Sequence, residues 1–191
     1  MAFLSINELL DIIIMTAAVG FIFSDTFSRY SRKEDYEPLV HYKHGFDWEA
    51  FRFAAIITAP AVILHEFGHK FVAMALGVDA TFHAAYFWLA LGVVMKIIGG
   101  FIFLVPAFVS HPSVGPLGDS IIALSGPLVN LLLWLGALLV HRQKLIAKKY
   151  DPGLLLTAKI NMFLFIFNLI PIPGFDGYSF FHGMIRLFMQ G

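Results

Sequence analysis

The chain has 191 residues, 59% hydrophobic and only 14% charged, with a mean hydropathy of +0.78. Soluble domains carry roughly a quarter charged residues, so this balance excludes an ordinary soluble domain and points to the membrane class. Thirteen basic residues cancel thirteen acidic ones, which argues against a nucleic-acid partner, and the absence of cysteine excludes disulfides and thiolate-held metal.

At ~20 residues per crossing, the length supplies about five to six transmembrane helices. The expected architecture is an all-α polytopic membrane protein with a short re-entrant β-type segment. It is organised as a first transmembrane helix and polar loop (1–50), a core (51–177) and an amphipathic C-terminal tail (178–191). Residues 6–23 predict the first span, with Asn7, Glu8 and Asp11 near one interface. No Lys or Arg precedes Arg29, so the basic start of a signal peptide is missing. Residues 24–50 read as a polar loop of mixed sign. It holds His41 and His44, a pair without carboxylate support and therefore no site.

The second span, Phe51–Leu76, contains His65-Glu66-Phe67-Gly68-His69. Residues four apart share one helix face, so both histidines can hold one metal ion, and Glu66 is placed to take a proton from water there. His69 lies ~10 Å along the helix from Leu76, and His65 ~21 Å from Phe51. The site is thus sunk in the membrane, nearer the end that follows the span.

Residues 84–109 allow two readings: one span of 26 residues, or a short helix followed by an extended re-entrant segment. Gly99-Gly100 and Pro106 argue against one straight helix, and Lys96 needs a polar partner. Ile121–Val140 predicts a span carrying Ser125-Gly126-Pro127 and Asn130. A basic loop follows over 141–153, then a span over Leu154–Ile170 with Lys159 snorkelling near its start. Asn168-Leu169-Ile170-Pro171-Ile172-Pro173-Gly174-Phe175-Asp176-Gly177 breaks that helix, and the tail Tyr178–Met189, with Arg186, can lie at an interface.

A hydrolytic zinc needs three protein ligands and an open position for water. Asp176, a lone carboxylate on broken backbone in an apolar run, is the leading third ligand; the alternative is a cap for the tail helix. His83, His111, His141 and His182 are weaker candidates. No glutamate follows Glu66, which removes a protease whose third ligand is a later Glu.

The HExGHxxxA pattern (His65, Glu66, Gly68, His69, Ala73), the Ser-Gly-Pro-x-x-Asn pattern (Ser125 to Asn130) and the Asn-x-x-Pro…Asp-Gly pattern (Asn168, Pro171, Asp176, Gly177) resemble those of the site-2 protease family of intramembrane zinc proteases. The resemblance covers roughly 51–177. It implies one zinc ion on His65, His69 and Asp176, with Glu66 as general base, and Asn130 and Asn168 serving the substrate carbonyl or its oxyanion. Phe175 stands where the family usually has Leu, no second Gly follows Asp-Gly, and Ala84–Ile98 is an insert. Family members carry a β-type element between the first two motifs, and Phe101–Val109 matches it in position; its free edge is expected to bind substrate as an added strand.

The function expected is hydrolysis of a peptide bond in or near a transmembrane segment of a membrane-protein substrate, by zinc-activated water, in regulated intramembrane proteolysis. Its partners are that substrate, the lipid bilayer and a regulatory membrane protein. The setting is a multi-pass protein of the cell membrane. Loops 24–50 and 141–153 share one side, which the positive-inside rule makes cytoplasmic; the family arrangement instead puts 77–83 near the cytoplasm. The competing function is a membrane scaffold with a vestigial or structural metal site, against which the intact Glu66 speaks.

Overall fold

The computed structural model describes residues 3–31, 46–99 and 105–190. His41, His44 and the 101–104 part of the expected β-type segment lie outside these. The element order is α1 (Ile6–Ser31), α2 (Trp48–Ala75), β1 (Thr81–Ala84), α3 (Tyr86–Ile97), β2 (Ala107–Ser110), α4 (Pro116–Arg142), a short 3₁₀ turn (Lys148–Tyr150), α5 (Asp151–Asn168) and α6 (Asp176–Gln190). Among the described residues, three helices are long and apolar enough to cross a membrane: α1 over Ile6–Ser28, α2 and α4. That is fewer than the five to six expected. The predicted span at Leu154–Ile170 is the helix α5, whose eighteen residues, with Asp151, Lys159, Asn161 and Asn168, are not among these three.

The starts of the helices are written locally. Ser5 and Glu8 form a capping box at α1: Glu8 N donates to Ser5 Oγ (3.2 Å) and Ser5 N to Glu8 Oε2 (2.8 Å). Asp47 caps α2 through Ala50 N (3.0 Å). Helix α1 runs past the predicted end at residue 23, because Ser24 and Ser28 return their hydroxyls to the carbonyls of Phe21 and Asp25 and let a polar turn stay helical.

Within 84–109 the described residues form a short helix and, later, an extended strand, as in the second of the two readings. Helix α3 has twelve residues, ~18 Å long and too short for a ~30 Å hydrocarbon core. Lys96 finds its partners on α1: it reaches the Phe21 carbonyl, Ser24 Oγ (2.5 Å) and Asp25 (3.4 Å), over the Phe21 ring. Strand β2 pairs antiparallel with β1, from Thr81 opposite Ser110 to Ala84 opposite Ala107. The partner strand was not expected; Thr81–Ala84 is too short to show an alternating pattern.

Helices α1 and α2 run antiparallel, with Gly20 against Ala55 at one end and Glu8 against Lys70 at the other. Helices α2 and α4 are antiparallel too, since His65 meets Asn130 and His69 meets Ile122. A core of Met15, Val19, Val62, Phe82, Leu89 and Ala107 joins α1, α2, α3 and the hairpin. Outward faces stay apolar, with Ile56, Phe71 and Leu132 each about two-thirds exposed (65%, 65% and 69%). That is the surface lipid accepts and water does not.

The hairpin hangs on two acids of α1. Glu8 accepts the Phe82 N–H (2.8 Å) and Asp11 the Ala84 N–H (3.2 Å), and Asp11 also accepts from the Tyr86 hydroxyl. These are the N–H groups that β1 turns away from β2 in an antiparallel ladder. Glu8 is 4% and Lys70 2% exposed, and they form a buried ion pair. Removing one partner of such a pair strands a charge at a cost of about 3–5 kcal/mol. Lys70→Met should therefore lower unfolding stability in detergent by that order, and Glu8→Gln combined with Lys70→Met should recover most of it.

Candidate metal and catalytic centre

Three elements converge at one end of the helical bundle. Helix α2 brings His65 and His69 one turn apart on the face toward α4, and the broken stretch after α5 returns Asp176 at the first turn of α6. His65 Nε2 and His69 Nε2 are 3.1 Å apart, and Asp176 Oδ2 lies 3.0 and 3.3 Å from them. Among the described residues, these three are the side chains that could hold a metal ion together.

The opposite ring nitrogens decide what those atoms are. His65 Nδ1 lies 2.6 Å from Asn130 Oδ1, and His69 Nδ1 lies 2.7 Å from the Ile122 carbonyl oxygen. A carbonyl can only accept, so both Nδ1 atoms must donate, and in the neutral rings the lone pair is then on Nε2. The Asn130 amide cannot be turned round, because its Nδ2 donates to the Ala61 carbonyl (3.1 Å) and to Asn161 Oδ1 (2.9 Å). Two lone pairs and a carboxylate oxygen thus face one another, and Asp176 Oδ2 is buried without a properly aligned hydrogen bond. Such a cluster needs a cation. A proton can serve only two of three acceptors, whereas a metal ion serves all three. Ligand atoms on a tetrahedral zinc with ~2.0–2.1 Å bonds stand about 3.3–3.4 Å apart, close to the spacing seen. The residues fit the ion.

Glycines make the geometry attainable. A Cβ at Gly126 would collide with Nε2 of both histidines, and one at Gly68 would press on the Ser125 carbonyl and Val129. Each helix thus offers the other a flat surface, and the imidazoles lie directly over α4. Similarly, a Cβ at Gly177 would strike the Leu169 and Ile170 carbonyls, so this residue lets the chain tuck Asp176 under the end of α5.

Glu66 is 7% exposed and lines the same cavity as the three ligand candidates. That cavity, about 430 Å³, is also bounded by Ala107 and Val109 of β2, by Asn168 at the end of α5, and by Tyr178 and His182 of α6. Of the two asparagines expected to serve the substrate, Asn168 borders this space. Asn130 is fully buried behind His65, with its carboxamide occupied on both sides. His111 and His182 border the cavity outside the ligand cluster. His83 bonds Ser110 Oγ on the hairpin, and His141 pairs with Asp151 at the far end of α4. The sequence reading passed over Asn161, fully buried in α5. Its signal was there: an amide in the middle of an apolar run needs a partner.

The chain is 33% identical over 179 residues to "Putative zinc metalloprotease MJ0611" of Methanocaldococcus jannaschii, covering 90% of this chain and 81% of that protein. It is 30% identical over 133 residues to "Putative zinc metalloprotease sll0528" of Synechocystis sp., covering 70% of this chain and 31% of that longer protein. The chain belongs to the same family as these zinc metalloproteases. No protein-family model and no solved structure matches it. For a member of this metalloprotease family, the space over Gly126 must stay clear. Gly126→Ala should bring the zinc content of the purified protein close to zero while leaving its helical circular dichroism unchanged.

Proposed function

We propose that this metalloprotease is an intramembrane endopeptidase of the site-2 protease type, cutting a peptide bond in or near a transmembrane segment of its substrate. The observation that carries this is the convergence of His65, His69 and Asp176 on one point, beside Glu66 and between apolar helices. Zinc held by those three side chains would acidify water toward a pKa of ~7 and polarise a carbonyl. Glu66 takes the proton from the attacking water, holds it at its carboxylate, and returns it to the leaving amine nitrogen. Asn168, at the cavity wall, donates from its carboxamide to the substrate carbonyl or to the oxyanion that develops there. Asn130 acts from behind, through His65.

Strand β2 supplies the place for the substrate backbone. Ala85 N donates to the Pro106 carbonyl (3.1 Å), which fixes the phase of the ladder: the N–H and C=O groups of Ala107 and Val109 turn away from β1. Both residues border the cavity, while the outer edge of β1 is closed by Glu8 and Asp11. A substrate segment added along β2 would be extended there, and an extended peptide exposes the carbonyl that a helix hides.

We further propose that the protein is a multi-pass protein of the cell membrane with the metal end of α2 toward the cytoplasm. In this reading it acts in regulated intramembrane proteolysis with a regulatory membrane partner.

Two measurements test this. Glu66→Gln should retain zinc and lose cleavage of a panel of membrane-spanning substrates by a factor on the order of 10²–10⁴; zinc without cleavage in the unaltered protein would favour the scaffold reading. Val109→Pro removes an N–H that β1 does not use, so it should slow cleavage without lowering zinc content. Unchanged processing would remove the strand-addition step.

A further inference from the structure

We propose that Asn161 is a positioning residue for metal capture: it holds the Asn130 carboxamide in the one orientation that makes His65 present a bare Nε2. This rests on the zinc reading of the site and extends it one residue deeper, to a side chain outside all three sequence motifs.

The relay starts from a backbone oxygen. Asn161 Nδ2 donates to the Thr157 carbonyl, 2.9 Å away on the same helix. Because that oxygen only accepts, the amide nitrogen of Asn161 must be on its side, and Oδ1 is turned toward α4. There it accepts from Asn130 Nδ2 at 2.9 Å. The second hydrogen of Asn130 Nδ2 goes to the Ala61 carbonyl at 3.1 Å. Asn130 is left with one free end, Oδ1, and this faces His65 Nδ1 at 2.6 Å. An acceptor at that place draws the imidazole proton to Nδ1 and leaves Nε2 for the ion.

The alternative state is well defined. If the Asn130 amide turned over, its NH₂ would face His65 Nδ1, the proton would move to Nε2, and a metal ion would meet an N–H instead of a lone pair. Overturning sets Asn130 Oδ1 against the two acceptors Asn161 Oδ1 and Ala61 O, in a place with no water to relieve it. Asn130 and Asn161 are both 0% exposed. Without the Asn161 acceptor only the Ala61 carbonyl remains to oppose the turn, and one N–H of Asn130 is buried unpaired. A buried apolar residue at 161 would fill the space equally well, so the polarity of Asn161 is what the metal site uses.

The test is zinc affinity of the full chain in detergent, measured by competition with a chromophoric chelator, with the visible spectrum of the cobalt-loaded protein as a check on ligand geometry. Asn161→Leu should weaken zinc binding about 10–100-fold, the usual range for groups that orient a ligating histidine. Asn161→Ser, whose hydroxyl is too short to reach Asn130, should do the same and serves if the leucine variant does not fold. The decisive arm is the Asn130→Asp background. A carboxylate accepts from His65 Nδ1 whichever way it turns, so Asn161→Leu should there cost less than about threefold. An equal loss in both backgrounds would make Asn161 a packing residue, and no loss in either would remove the relay; both outcomes overturn the proposal. If the parent chain bound no zinc, the metalloprotease site itself would be wrong, a result distinct from a parent that binds zinc and ignores residue 161.

Discussion

Two imidazole lone pairs face each other across 3.1 Å with a carboxylate oxygen beside them, and the rest of the structure arranges for that unfavourable contact. It exists because the far side of each ring is committed to an acceptor, Asn130 Oδ1 for His65 and the Ile122 carbonyl for His69. Helix α4 supplies both acceptors and also Gly126, over which the rings lie. One helix therefore fixes the tautomers, the ring planes and the clearance. Asp176 comes from a separate, broken segment, so the site closes only when α5 and α6 are seated. Binding of a metal by these three side chains would therefore be coupled to the docking of the chain's last third.

Charges elsewhere in the apolar body follow a related logic. Glu8 is satisfied by Lys70, by the Phe82 N–H and by the Ser5 N–H together, so a buried carboxylate ties α1, α2 and β1 at one point. Lys96 is handled in the same way, by a carbonyl, a hydroxyl and a carboxylate on α1. Burying such groups costs more than leaving them in water unless their lone pairs and protons find partners, and Glu8 and Lys96 each have three. Their consequence is geometric. The first helix, which lies outside the motif-bearing core, holds the hairpin and decides which of its two edges is available.

How much of this the sequence discloses depends on the range of each interaction. His65, Glu66 and His69 are legible because their relation is one helical turn, which spacing alone states. Asp176 is legible as an anomaly, a charge beside Pro and Gly where apolar residues prevail. The break in 84–109 is legible from Gly99, Gly100 and Pro106, but the partner of β2 is not: Thr81–Ala84 is four residues long and its pairing is set by α1. The Glu8–Lys70 pair spans 62 positions, and nothing in either residue's neighbourhood names the other. Asn130 shows the subtler failure. Its motif marks the residue as important, yet whether its amide turns to the substrate or to the back of a histidine depends on Ala61 and Asn161, both remote in sequence.

The choice of amides over acids behind His65 follows from where the site lies. A carboxylate is the commoner partner for the far nitrogen of a zinc-bound histidine and makes the ring more basic. In an apolar body it would add an anion with no countercharge. With neutral carbonyl acceptors behind both rings, a divalent cation, Asp176 and Glu66 together carry no net charge, and the assembly can be buried between helices without a further ion. The amide's weakness is that it has a donor end as well as an acceptor end, so it can be wrong in a way a carboxylate cannot. A second amide, pinned to a helix carbonyl, removes that ambiguity without adding charge. Asn130 and Asn161 are thus read together as the form a ligand-orienting acid takes where charge is expensive.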